Sequence, residues 1–344
     1  MKKLAFLLAL IFSLLPAAAL AEYITVFNWY DYIDESVIGE FEDETGIEVK
    51  YANFTTNEEM YAKLSTGAGE YDVIFPSDYI VERMLAKGEL AELNLDNIPN
   101  RSYVMDWLQA PAYDPTGAHS VPYMWGTVGI LYNTDLVDGE VNSWQNIFDL
   151  ELAGEKSVFM LDSIRDSLGV ALCSLGYSLN TRDADELEAA KQVLMKQRAE
   201  GIVKGYLVDE TKDKMISGEA ALAVMWSGDA GYAIMEGDGN LAYVVPEEGS
   251  NVWIDAMCIP AASKKQELAE QFINFLCRPD IAARNREYIY YHTPIQQVAD
   301  EMDEEEKQNP AFFADQATID RCEFFHDIAD EMEMYDRIWM EIRG

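Results

Sequence analysis

The sequence predicts an α/β protein of two lobes, each a mostly parallel sheet flanked by helices. Three observations carry this expectation. Short apolar runs alternate with amphipathic, capped stretches, the β-α-β-α order that gives a parallel sheet covered by helices. The chain has 344 residues, enough for two domains of ordinary size. No internal repeat and no low-complexity linker divides it, as suits two lobes joined by several crossings.

The first residues read as a leader. Lys2 and Lys3 precede an apolar run from Leu4 to Leu15, and Ala19-Leu20-Ala21 fits a small-x-small cleavage site before Glu22. The run is too short to span a bilayer. No Cys follows it, so an exported, periplasmic or extracellular protein without a lipid anchor is expected. The expected division is a signal peptide over 1–21, one lobe from 22–127 plus 250–292, and a second from 128–249 plus 293–344.

In the first lobe, Tyr23 to Phe27 reads as a buried strand. Asp34 then caps a helix that carries Val37, Ile38 and Phe41 on one face and stops at Gly46. Ile47 to Tyr51 alternates as a strand, and a helix from about Asn57 runs to Gly67. Tyr71 to Phe75 is the third strand, followed by Pro76-Ser77-Asp78-Tyr79 and a helix ending at Gly88. The proline-bearing stretch from Glu92 to Gly117 is loop-like. Val128 to Tyr132 is the first crossing. In the second lobe, Ser157 to Leu161 and Ala220 to Met225 are strands, and helices follow Asp162-Ser163-Ile164-Arg165-Asp166 and Asp183. The chain crosses back around Val244 to Gly249 into an alternating strand, Val252 to Ile259. A third crossing is expected at Tyr291-His292-Thr293-Pro294, and the acidic tail is mostly helical.

With 25 Lys and Arg against 62 Asp and Glu, the net charge is −37. Such a field repels nucleic acid and anionic lipid and concentrates cations near a cleft. Plain solubility also accounts for the total. Cys173, Cys258, Cys277 and Cys322 have long, irregular spacings and no CxxC, so buried free thiols weigh at least equally with bridges. GxSxG, GxxxxGK[ST], HExxH and GxGxxG are all absent, and the three histidines are scattered. No enzyme activity, cofactor or metal is expected.

What recurs is Trp, Tyr and Asp where strands stop: Trp29, Tyr30, Asp31 and Tyr32; Ser77, Asp78 and Tyr79; Trp226 and Asp229; Trp253 and Asp255. Ligands of open α/β sheets bind outside the carboxyl ends of strands. Ring faces and carboxylates suit an organic cation. Any one pair reads equally well as packing plus a helix cap, Asp166 in particular; four together favour a shared site.

On Asn28-Trp29-Tyr30-Asp31-Tyr32, Glu59 to Leu64, Tyr71 to Ser77, Pro122 to Gly126, Trp253-Ile254-Asp255 and Tyr291 to Pro294, the chain resembles the spermidine/putrescine-binding proteins of bacterial ABC-type polyamine uptake systems. The resemblance runs over nearly the whole mature chain. It implies two lobes closing over a polyamine, with a membrane permease and an ATPase as partners and no nucleic acid; a monomer is expected. It also implies an aromatic box of Trp29, Tyr32, Tyr79, Trp226, Trp253 and Tyr291. Asp255 and Asp166 fall on its ammonium-binding carboxylates, and Ser77 on an amine-binding hydroxyl.

Two positions depart from the spermidine pattern: Ser163 replaces an Asp and Phe325 stands near a Gln. Asp229 and Asp31 resemble the putrescine-preferring relatives, while Tyr79 and Trp253 resemble the spermidine side, a balance that leans to the shorter diamine. The competing readings are another polar solute such as a sugar, which the acidic field disfavours, and an exported enzyme, which lacks a nucleophile–base pair.

Overall fold

The computed structural model describes residues 22–67, 70–154 and 157–344. The leader expected over 1–21 lies outside the described residues. No described helix is long and apolar enough to cross a membrane.

The chain opens with β1 (Tyr23–Trp29), α1 (Glu35–Thr45), β2 (Glu48–Phe54), α2 (Asn57–Ser65), β3 (Val73–Ile74) and α3 (Asp78–Ala86). Local chemistry sets these bounds. Asp34 caps α1 by accepting from the Ser36 amide, and Gly46 ends it at φ 73°, a backbone that suits a residue without Cβ. Six further strands follow: β4 (Ser120–Asn133), β5 (Val158–Leu161), β6 (Val203–Leu207), β7 (Leu222–Trp226), β8 (Leu241–Val244) and β9 (Val252–Cys258). The expectation lacked β6 and β8. β6 contains Lys204 and Gly205 and is only half-buried, so it shows no continuous apolar run.

Among the described residues the strands connect in the order β2-β1-β3-β9-β4-β7-β5-β6, with β8 also on β4. β1 pairs in parallel with β2 and β3, and β5 with β6 and β7. These are the helix-crossover units of the two lobes. The strands that join the lobes run antiparallel: β9 against β3 and β4, and β4 against β7 and β8. β4 serves both lobes. Ser120 to Thr127 pair with β9, and Val128 to Tyr132 pair with β7.

The buried core divides at the same place. One cluster holds Ile24, Phe27, Phe41, Trp125, Ile254 and Phe272. On the second sheet, alternate residues face opposite sides. Ile130, Val158, Met160 and Val224 belong to a second cluster, and Leu131, Phe159, Ala223 and Met225 to a third. The tail differs from the expected division. Val298, Ala299, Met302, Phe312 and Ala314 pack into the first cluster, and only from Phe325 do Ile328, Tyr335, Trp339 and Ile342 join the second. The reason is hydrogen bonding. His292 exchanges both backbone bonds with Trp125, and Val104 bridges Ile295, so the chain past 292 stays on the first lobe. It returns beside β9: Glu323 N donates to Ser250 O, and Val252 N donates to Glu323 O, both at 2.9 Å.

Candidate functional site: a buried carboxylate among aromatic rings

Asp255 lies in β9, 6% exposed. Tyr32 donates its hydroxyl to Oδ2 at 2.9 Å, and Ser77 donates to Oδ1 at 2.6 Å. Three segments meet here because β1 and β3 end beside the middle of β9. Near the end of β1, buried Asn28 accepts from Trp29 N and donates to Tyr32 O, and Tyr123 donates to the same carbonyl at 2.8 Å. That loop therefore turns the Tyr32 ring inward. After β3, Asn57 at the start of α2 accepts from Ser77 N and donates to Ser77 Oγ at 3.0 Å and to Tyr79 Oη at 3.1 Å. Burial pushes the Asp255 carboxyl up to about 6, with the Ser77 and Tyr32 hydroxyls pulling the other way.

The rings surround this carboxylate. Tyr291 stands edge-on to Trp253 at 4.8 Å and to Tyr32 at 5.8 Å between centroids. Gly228 admits the Tyr291 ring, since a Cβ there would collide with it; at Gly126 a Cβ would come 2.5 Å from the Trp253 ring. Trp29 donates its indole N–H to Phe75 O at 2.8 Å, which fixes its plane. Tyr79 packs against both the first and the second cluster, and its hydroxyl donates to Glu58.

The second lobe brings its own carboxylates. Ser163 caps the helix Ile164–Ser174 and donates to Asp166 Oδ2 at 2.6 Å. Burial raises the Asp166 carboxyl, against the pull of Ser163, Arg165 and the Trp226 side chain. Asp229, in the first turn of the helix Ser227–Glu236, accepts from Tyr291 Oη at 3.3 Å. Phe325 is buried beneath the Arg165 guanidinium, 4.1 Å from its ring centroid.

Three of the expected residues sit elsewhere. Tyr30 is 74% exposed. Asp31, at φ 53°, accepts from Tyr288 at the surface. Asp78 is buried, but its oxygens are taken by the amides of Tyr79 at 2.7 Å and Ile254 at 3.3 Å, so it ties α3 to β9. Sequence reasoning also missed three neighbours. Asn57 read only as a helix start. Arg165 sat between two carboxylates as part of a cap. Lys212 lay in a charged run, Glu210 to Lys214, with the pattern of a solvated helix face.

The family model described as bacterial extracellular solute-binding protein matches residues 36–314. The spermidine/putrescine-binding periplasmic protein of Escherichia coli is 34% identical, covering 92% of this chain and 90% of its own length. The putrescine-binding periplasmic protein of the same species is 29% identical, covering 86% and 84%. A solved spermidine/putrescine ABC transporter substrate-binding protein from Streptococcus pneumoniae is 35% identical, covers 94% of this chain and 98% of its own, and superposes with a TM-score of 0.83. The chain belongs to the bacterial extracellular solute-binding protein family.

Proposed function

We propose that this chain binds a polyamine, putrescine or spermidine, between its lobes and delivers it to an ABC-type uptake transporter, with a membrane permease and an ATPase as partners. One observation carries the reading: Asp255 is a buried carboxylate held by two neutral hydroxyls and walled by rings. A carboxylate in such a place is matched by a desolvated cation, and flat apolar walls match methylene chains. The names of the relatives point the same way.

In this reading Asp255 and Ser77 receive one amine. Trp29, Tyr32, Tyr79, Trp226, Trp253 and Tyr291 line the chain of methylenes, and Asp166 and Asp229 face it from the second lobe. Ser163, Asp78 and Phe325 position these groups. The lobes are 22–127 with 250–314, and 128–249 with 325–344, joined by the crossings at Thr127/Val128, Val245 to Asn251 and 315–324. The protein acts as an exported monomer. Calorimetric titration of ligand-free protein with putrescine, spermidine, spermine and a neutral hexose is the test. Saturable heats with the amines alone are expected; heat with the hexose alone, or none at all, overturns the reading.

A further inference from the structure

The structure places one of the protein's own ammonium groups on a carboxylate of the site. Lys212 Nζ lies 3.1 Å from Asp229 Oδ1. It projects from the short helix Glu210–Ile216 and lies over the Tyr232 ring at 5.4 Å. Its side chain is 27% exposed, so the contact is largely shielded from water. The other oxygen of Asp229 already accepts from Tyr291, which stands against Trp253. Burial alone would lower the pKa of the Lys212 ammonium, but Asp229, Asp209 and Asp31 more than offset it and hold it charged. Asp31 follows β1 in the first lobe, whereas Asp209 and Asp229 lie in the second.

We infer that Lys212 is a specificity-determining residue that occupies Asp229 as a resident cation and so limits the positive charge a ligand brings into the cleft. The inference rests on the polyamine reading given above. The physical argument is short. A bound amine meets Asp229 already neutralised at one oxygen, and it also meets the field of the lysine itself. That repulsion grows with the number of ammonium groups on the ligand. Spermidine carries one more than putrescine, so Lys212 discriminates against the triamine without touching its methylenes. Specificity of this kind comes from a repulsive element built into the site.

Lys212→Met and Lys212→Gln are compared with wild type by titration with putrescine and with spermidine at fixed salt, after thermal melts verify folding. Both variants remove the charge; the glutamine keeps a donor toward Asp229. The ratio of spermidine to putrescine affinity is expected to rise by about tenfold in each, the scale of one charge contact at a recognition site. Lys212→Arg, which keeps the charge, is expected to restore the wild-type ratio. A lysine that only braces the helix would change the melting temperature, or weaken both ligands together, and leave the ratio alone. An unchanged ratio in a folded, polyamine-binding Met or Gln variant overturns the role of Lys212 and leaves polyamine binding standing. Wild-type protein that binds neither amine overturns both.

Discussion

Ser77 and Asp255 face each other across an antiparallel bridge, with the serine hydroxyl 2.6 Å from the carboxylate. One residue follows the third strand and the other lies in the ninth, so the carboxylate gains its serine partner, alongside Tyr32, only when those two parts of the chain are brought together. Asp255→Asn keeps the shape and removes the charge. Polyamine affinity is expected to fall by about 2–5 kcal/mol, the cost of truncating one side of a desolvated charge pair. Titration of the variant at wild-type affinity would place the amine elsewhere.

The pH dependence follows from the same group. Its native pKa, about 6, lies above the ordinary carboxylate value of 3.8. Between these values the native state holds a proton that the unfolded chain has released. Stability of the ligand-free protein is therefore expected to fall as pH rises through that window, and to level off above it as far as Asp255 is concerned. Asp166 and Asp229 are shifted in the same direction by burial and add to the trend. Affinity for the amine runs the opposite way, rising as Asp255 ionises. Thermal melts from pH 4 to 7.5, with and without putrescine, check both signs. Asp255→Asn should flatten each profile.

Gly228→Ala tests the ring wall. Alanine is the better helix former, so the helix Ser227–Glu236 is expected to remain. The new Cβ meets the Tyr291 ring and pushes it away from Trp253 and Asp229. Overpacking of this kind costs about 1–3 kcal/mol of stability, and polyamine affinity is expected to fall with the displaced ring. Near-ultraviolet circular dichroism should register the moved ring, and unchanged affinity would remove Tyr291 from the binding wall.

Closure is expected to depend on a contact between lobes. Arg83 of α3 holds Asp327 at 2.7 Å, and Glu82 accepts from the Asp327 amide at 2.8 Å. A ligand touching both lobes favours the closed form. Small-angle scattering should give a smaller radius of gyration with ligand than without. Arg83→Met is expected to enlarge the ligand-free radius and to weaken binding by about 1 kcal/mol, since it loosens the bound conformation.

Much of the first lobe was legible because each helix carries its own punctuation. Asp34 and Gly46 bound α1 as their chemistry dictates. Trp29, Tyr32, Ser77, Trp253 and Asp255 were readable as candidates because polar and aromatic residues recur beside short apolar runs. The structure brings Tyr32, Ser77 and Asp255 into contact, with Trp253 and Asp255 inside β9 rather than at its end. The rest required three dimensions. Asp78 and Asp255 both come shortly after an aromatic or hydroxyl residue in apolar surroundings, and only the fold decides that Asp78, opening α3, meets amides while Asp255, inside β9, meets hydroxyls. Tyr30 and Tyr32 differ by one turn of the loop that Asn28 and Tyr123 hold. The late return of the tail was hidden because Tyr291 to Pro294 looks like a turn between lobes, whereas its backbone pairs with Trp125.

The order of strands has a consequence for how the chain matures. β3 borders β9 in the first sheet, and Ile74 pairs with Cys258. Everything that builds the second lobe's sheet lies between them in sequence. The nascent first lobe thus has an open edge at β3 throughout most of synthesis, and closing it requires a loop of very large contact order. Folding of that lobe waits for nearly the whole chain. For a periplasmic or extracellular protein such a delay is useful, because a chain still unable to close its first sheet remains threadable.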